Sequence, residues 1–325
     1  MINILKNNYF RLKSKKYYSI IYLIMTILSI VAAVYMTSKF QTKGNIALVT
    51  NDKEKAIKSE YFNFVSLERE PEKYELALGR YDGVVIDNGA GEYEIYTIKN
   101  TEYKQMLKKV IDNPDSKEIG IESNRGVGTN IIGFLMVFIL LQSILFMFTL
   151  AEEIELKQIE RIAVSPLSFF KYILAHFIFN ISFIVVPTFL TLTIINIFFK
   201  VNIGFSLTRY LGLLILLGAL GTSFSLFINA FIKGADNANM IGSASVLLTT
   251  ILCGSFYSFE NGNKILQKIL LIFPQKEFLN FVKALEDGKD ILNSLPQILY
   301  VIIISLAFFL ISVIKIKKDY VLRSE

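Results

Sequence analysis

The chain has 325 residues, 53% of them hydrophobic, with a mean hydropathy of +0.48, which is too apolar for a soluble domain. Its formal net charge of +6 comes from Lys and Arg placed beside the apolar blocks, a pattern of membrane topology and not of a nucleic-acid partner. A single cysteine, Cys253, and a single histidine, His176, exclude an internal disulfide, a cysteine metal cluster and a histidine-rich metal site.

In chain order, residues 1–16 read as a basic amphipathic helix on the inner leaflet, with Ile2, Leu5, Tyr9 and Leu12 on one face and Lys6 and Lys13 away from it. A frayed basic tail is the alternative. Residues 17–37 form the first apolar block, long enough to cross roughly 30 Å of hydrocarbon at ~1.5 Å per residue. A cleaved signal peptide ending near Val31-Ala32-Ala33 is a second reading, although the block exceeds a usual signal core.

Residues 38–126 are polar and read as a small extracytoplasmic α/β domain. Strands are expected at Ile46 to Val49, Phe62 to Leu67, Gly83 to Ile86 and Glu92 to Ile98, where apolar and polar residues alternate. Helices are expected at Lys53 to Glu60, at Pro71 to Arg80 behind a first-turn proline, and at Tyr103 to Ile111, closed by Asn113-Pro114. Asp82 and Asp87 flank the third strand as an acid-base or metal pair, or as solvated turn carboxylates.

Five more apolar blocks follow: residues 127–151, 167–199 with Pro187 inside, 207–232, 240–257 and 295–314. The expected fold class is therefore an α-helical polytopic membrane protein with six spans. Lys6, Arg11, Lys13, Lys15 and Lys16 precede the first span, and Lys315, Lys317, Lys318 and Arg323 in the tail (315–325) follow the last. Both ends are thus expected in the cytoplasm, together with Lys157, Arg161, Lys171 and Lys233. The outer loop 258–294 departs from this rule with Lys264, Lys268, Lys276, Lys283 and Lys289, and reads as a small structured piece with short helices.

The span cores contain no Asp, Glu, Lys or Arg, which disfavours transport through buried carboxylates. His176 near the start of the third span is either a packed residue or a proton relay. No HExxH helix, GxSxG elbow or GxxxxGK[ST] loop occurs, so the chain has neither a hydrolase signature nor a phosphate-binding loop for ATP.

Residues 152–166 carry Glu152, Glu153, Glu155 and Glu160 between two apolar blocks, and read as a helix facing another protein. Glu153 and Lys157 stand at the favourable i,i+4 spacing, Ile159, Ile162 and Ala163 share an apolar face, and Ser165-Pro166 ends the helix and opens the next. A solvated charged turn is the plain alternative.

The stretch AEEIELKQIERIAVSPLSFFKYILA resembles the loop after the second span in ATP-binding-cassette (ABC) type-2 permeases. Glu153, Glu155, Glu160, Arg161, Ser165 and Pro166 occupy the matching positions. GRYDGVVI in the insert, and CGSFYSF followed by LLIFPQKEFLNFVKALEDG after the fifth span, extend the likeness, with a departure in the missing proline soon after Gly254.

The resemblance implies a permease subunit of an exporter in a bacterial cytoplasmic membrane, a setting that the Ile, Lys, Asn and Phe richness also fits. Its loop would dock in a cleft of an ABC ATPase. The implied assembly is two six-span subunits, identical or related, with two ATPase subunits. ATP and Mg would sit on the partner and no cofactor on this chain. Cargoes of the family are drugs, antimicrobial peptides, lipids or glycan precursors. Gly218, Ala219, Thr222 and Ser223 in the fourth span, and Gly242, Ser243 and Ser245 in the fifth, allow close helix approach between subunits or within one. A membrane-anchored sensing or immunity protein that binds a ligand with its outer domain is the competing class.

Overall fold

The computed structural model describes residues 1–14, 16–40, 44–50, 62–67, 69–72, 75–76, 80–87, 93–97, 101–112, 126–163, 168–201, 203–256, 264–288 and 291–320. They fall into two compact units, Met1–Val34 with Arg125–Glu325, and Tyr35–Asn124. The chain opens with α1 (Ile2–Ser14) and α2 (Lys16–Phe40).

In the Tyr35–Asn124 unit follow β1 (Asn45–Val49), β2 (Asn63–Leu67), β3 (Gly83–Asp87), β4 (Tyr93–Tyr96) and α3 (Thr101–Asp112). The strands form one sheet in the order β2-β1-β3-β4, with β1 parallel to β2 and β3, and β4 antiparallel to β3. The period of two sends Ile46, Leu48 and Val85 to one face, where Leu107, Val110 and Ile111 of α3 cover them. Ala47 and Val84 point to the other face. The Asp82 carboxylate accepts the Asn45 N–H at 3.1 Å and so ties the starts of β1 and β3. Among the described residues no group of three or more His, Cys, Asp or Glu is placed to hold a metal ion. The expected helix at Lys53 to Glu60 lies outside the described residues.

The other unit continues with α4 (Val127–Phe146), α5 (Phe148–Glu155), α6 (Gln158–Ala163), α7 (Phe169–Phe198) and α8 (Leu207–Phe231). After these come α9 (Ala235–Leu252), α10 (Lys264–Leu270), α11 (Pro274–Glu286), a 3-10 turn (Ile291–Ser294) and α12 (Leu295–Tyr320). Among the described residues four helical stretches are long and apolar enough to cross a membrane: Val127–Glu155, Phe169–Phe198, Leu207–Phe231 and Leu292–Tyr320. In the expected first block the described apolar run is the shorter Ile24–Tyr35 of α2, and α9 occupies the fifth.

α4 is the centre of this unit. Ile131, Ile132, Leu135, Met136, Ile139 and Leu140 are all buried, whereas α7 and α12 keep large apolar side chains exposed, among them Leu190, Ile194, Ile303 and Leu306. A helix that is apolar all round and a ring of exposed apolar surface are the two faces of a helical bundle in lipid. Lipid offers no hydrophobic drive between helices, so close packing and polar bonds hold them together. Gln142 Nε2 donates to Thr26 Oγ1 at 3.0 Å, joining α4 to α2. Asn180 Nδ2 donates to the Ser143 carbonyl at 3.1 Å, joining α7 to α4. α7 runs unbroken through Pro187.

The N-terminus of α4 is held by α11. The Glu286 carboxylate accepts from the backbone N–H of Gly128 at 2.7 Å and of Thr129 at 2.8 Å. It thereby satisfies donors that a helix start leaves orphaned and faces the positive end of the helix dipole. Gly204 (φ +82°) lies so close that a Cβ there would stand 2.3 Å from the Gly128 nitrogen.

Candidate functional site

The acidic segment folds as an elbow and not as one continuous helix. α4 ends at Met147, α5 carries the chain on through Glu155, and Leu156 and Lys157 turn it into α6. Lys157 has φ +55°, a left-handed conformation that costs roughly 1–2 kcal/mol for a residue with a Cβ. The turn is fixed by the Leu156 N–H on the Glu152 carbonyl (2.8 Å) and the Glu160 N–H on the Lys157 carbonyl (3.2 Å). The expected i,i+4 pair of Glu153 with Lys157 does not form, because the helix stops between them and Lys157 leaves its face.

Glu153 turns inward instead, 4% exposed. The Arg11 guanidinium of α1 donates to Glu153, to Glu152 Oε2 at 2.9 Å and to the Thr149 carbonyl at 3.1 Å. The Tyr172 hydroxyl of α7 donates to Glu153 Oε2, and His176 Nε2 lies 3.3 Å from the same oxygen. Asn8 Nδ2 of α1 stands 3.2 Å from His176 Nδ1. Tyr172 also meets the His176 ring edge to face, with centroids 4.8 Å apart. Ile159 of α6 is buried beneath this cluster with Leu150, Tyr172 and Ile316.

The cluster corrects the expected face of α1. Asn8 and Leu12 are buried, Ile4 packs beside Leu150, and Ile2 and Tyr9 are exposed on the same side as Lys6 and Lys13, not away from them as expected. Residues 4, 8, 11 and 12 form one helical stripe. Asn8 and Arg11, drawn to His176 and Glu153, decide which stripe turns in. Sequence reasoning missed this pair; the available signal was one arginine among lysines, one turn from an asparagine.

The remaining acidic-loop residues stay nearer the surface. Glu155 is exposed, with Oε2 at 3.4 Å from the Ala235 N–H at the start of α9, and Arg161 is exposed. Glu152 and Glu160 are half-buried, and Ser165 and Pro166 lie outside the described residues.

Of the small residues, Gly218 and Gly242 meet helices of the same chain. A Cβ on Gly218 would meet Val185 of α7 at 3.2 Å, and one on Gly242 would meet Ile144 of α4 at 3.0 Å. Gly221, which sequence reading passed over, is tighter still, with Ser143 Oγ at 2.5 Å. Thr222 and Ser223 are buried, Ala219 is half-buried, Ser243 Oγ lies 3.4 Å from Asn239 Oδ1, and the Ser245 carbonyl accepts from Thr249 at 2.7 Å.

A charged elbow between two membrane-length helices, clamped by polar bonds to an amphipathic N-terminal helix, fits a polytopic helical membrane protein. A family model described as ABC-2 family transporter protein matches residues 15–314, and the chain belongs to that family. It is thus a membrane-embedded ABC permease. A search of the curated proteins returned no match.

Proposed function

We propose that this permease is the membrane subunit of an ATP-driven exporter and that the α5–α6 elbow receives the push of a separate ABC ATPase. The observation that carries the reading is the division of the acidic segment. Glu153 fastens the elbow to α1 and α7, while Glu155 and Arg161 remain on its surface for a partner. A load on the elbow then moves α1, α5 and α7 together, because Arg11, Glu153 and Tyr172 tie them. ATP and Mg²⁺ are bound by the ATPase, and this chain supplies no catalytic group.

In this reading the chain crosses a bacterial cytoplasmic membrane six times, with α2 and α9 as the first and fifth spans and both ends in the cytoplasm. The α/β unit lies outside. Two permease subunits, identical or related, work with two ATPases, and the aromatic-rich spans suit an amphipathic or hydrophobic cargo.

The test is co-purification with an ABC ATPase encoded beside the permease gene. Charge reversal by Glu155→Lys with Arg161→Glu lowers recovery of the complex at least about tenfold, equivalent to ~1.4 kcal/mol. Recovery and stimulated ATPase activity equal to the parent would remove the elbow from the coupling route.

A further inference from the structure

Between α1 and α7 runs a groove of about 630 Å³ that the chain does not fill. Its size falls within the roughly 300–1,000 Å³ of small-ligand sites. The walls are apolar, from Ile2, Leu5 and Tyr9 of α1 and Phe179 of α7, and its polar lining residues are Lys6 and Ser182.

Two features say what fits there. First, α1 cannot roll to hide its outer face, because Asn8 and Arg11 hold the opposite one against His176 and Glu153. Ile2, Tyr9 and Phe10 are left 69%, 54% and 62% exposed, on the side that also carries exposed Lys6 and Lys13. Ile2, Lys6, Tyr9 and Lys13 follow one helical stripe, alternately apolar and cationic. Second, Ile178 and Ser182 of the groove begin an i+4 line on α7 that continues past it as Val186 and Leu190, all exposed. That line is about 18 Å long at ~1.5 Å per residue, the reach of an extended acyl chain.

A cation at the mouth of a groove, with an apolar track leading from it along a membrane helix, matches an anionic amphiphile embedded in the bilayer. We infer that α1 and α7 bind one anionic phospholipid, its headgroup at Lys6 and an acyl chain over Ser182, Val186 and Leu190.

The chain contains no tryptophan, so Phe10→Trp gives the full-length protein a single reporter in the groove. Leu310→Trp, on the exposed face of α12, serves as the reference for ordinary lipid contact. Each is reconstituted into phosphatidylcholine vesicles containing brominated phosphatidylglycerol or brominated phosphatidylcholine, and quenching is measured.

At Phe10→Trp the brominated phosphatidylglycerol is preferred by about fivefold, the attraction expected of one lysine near an anionic headgroup. At Leu310→Trp the two lipids quench alike. Lys6→Gln brings the Phe10→Trp ratio down to the reference value, and Ser182→Phe, which fills the groove, weakens quenching by both lipids.

Equal ratios at the two reporters would mean bulk lipid contact only. No quenching at Phe10→Trp by either lipid would mean that a protein covers the groove, and a ratio unmoved by Lys6→Gln would remove the headgroup assignment; each result overturns the proposal. Ile2→Trp is the second groove reporter should Phe10→Trp fold poorly.

Discussion

At the N-terminal end of α4 the Glu286 carboxylate accepts from two backbone N–H groups, whereas past its C-terminal end the Glu153 carboxylate is held by the side chains of Arg11 and Tyr172, beside His176. The first grip uses groups that every helix start offers and depends on close backbone approach. The second depends on particular side chains from α1 and α7, with Glu153 only 4% exposed. Both fix the central helix, but removing a partner has different consequences. An unpaired backbone N–H is a neutral group, whereas a buried carboxylate stripped of its cation keeps a full charge with nothing of comparable strength to hold it.

The largest effect is therefore expected at the side-chain grip. Arg11→Met leaves Glu153 buried without its guanidinium and costs about 3–5 kcal/mol, read as a lowered thermal midpoint of the detergent-solubilised protein. Adding Glu153→Gln to Arg11→Met recovers part of the loss, since the uncompensated charge is gone. A double variant as unstable as the sum of the two single variants would break the comparison, because the two residues would then act independently.

Glu286→Gln comes next. It removes the charge facing the helix dipole and one of the two acceptor oxygens, a loss of about 1.5–3 kcal/mol. A cost equal to that of Arg11→Met would mean that the backbone grip is as specific as the side-chain one.

Between the two ends, α8 lies against α4 with no carboxylate involved, and steric fit alone sets the cost. Gly221→Ala places a Cβ 2.5 Å from Ser143 Oγ and 2.9 Å from Leu140 Cδ2. It costs roughly 1–3 kcal/mol by overpacking. Gly212, on the same helix, has nothing within 4 Å of its Cβ position. Gly212→Ala is neutral or stabilises by up to about 1 kcal/mol, and an equal loss at both positions would sink the packing argument.

The four strands of the insert and the helix behind them were legible because burial on a sheet writes itself into neighbouring residues with a period of two, as at Gly83 to Ile86. The elbow was legible as a place but not as a shape. Met147 and Leu156 carry no helix-breaking chemistry, and Lys157 takes its left-handed φ without a glycine to announce it. Arg11 looked like one more topological charge because its partner lies 142 residues away in the chain. Glu286 was unreadable for the opposite reason: the groups that receive it are backbone amides, which leave no mark on sequence. The small residues of α8 and α9 were visible as a stripe, but periodicity does not say which helix fills it, and here α4 and α7 do.

The smallest effect on stability is expected two residues from Glu153. Glu155 shares α5 with Glu153 and carries the same carboxylate, but it is exposed and its nearest described donor, the Ala235 N–H, is 3.4 Å away. Glu155→Lys should change stability by no more than about 0.5 kcal/mol, as surface substitutions generally do. If the elbow is the surface on which an ATPase pushes, the same substitution reduces transport-linked ATPase activity while the thermal midpoint stays at the parent value. Glu153→Gln shows the reverse order of sensitivity, losing stability before any partner is added. A Glu155→Lys protein that is both destabilised and fully coupled would place this carboxylate with Glu153 as a structural group, and would leave Arg161 as the exposed charge through which the elbow meets a partner.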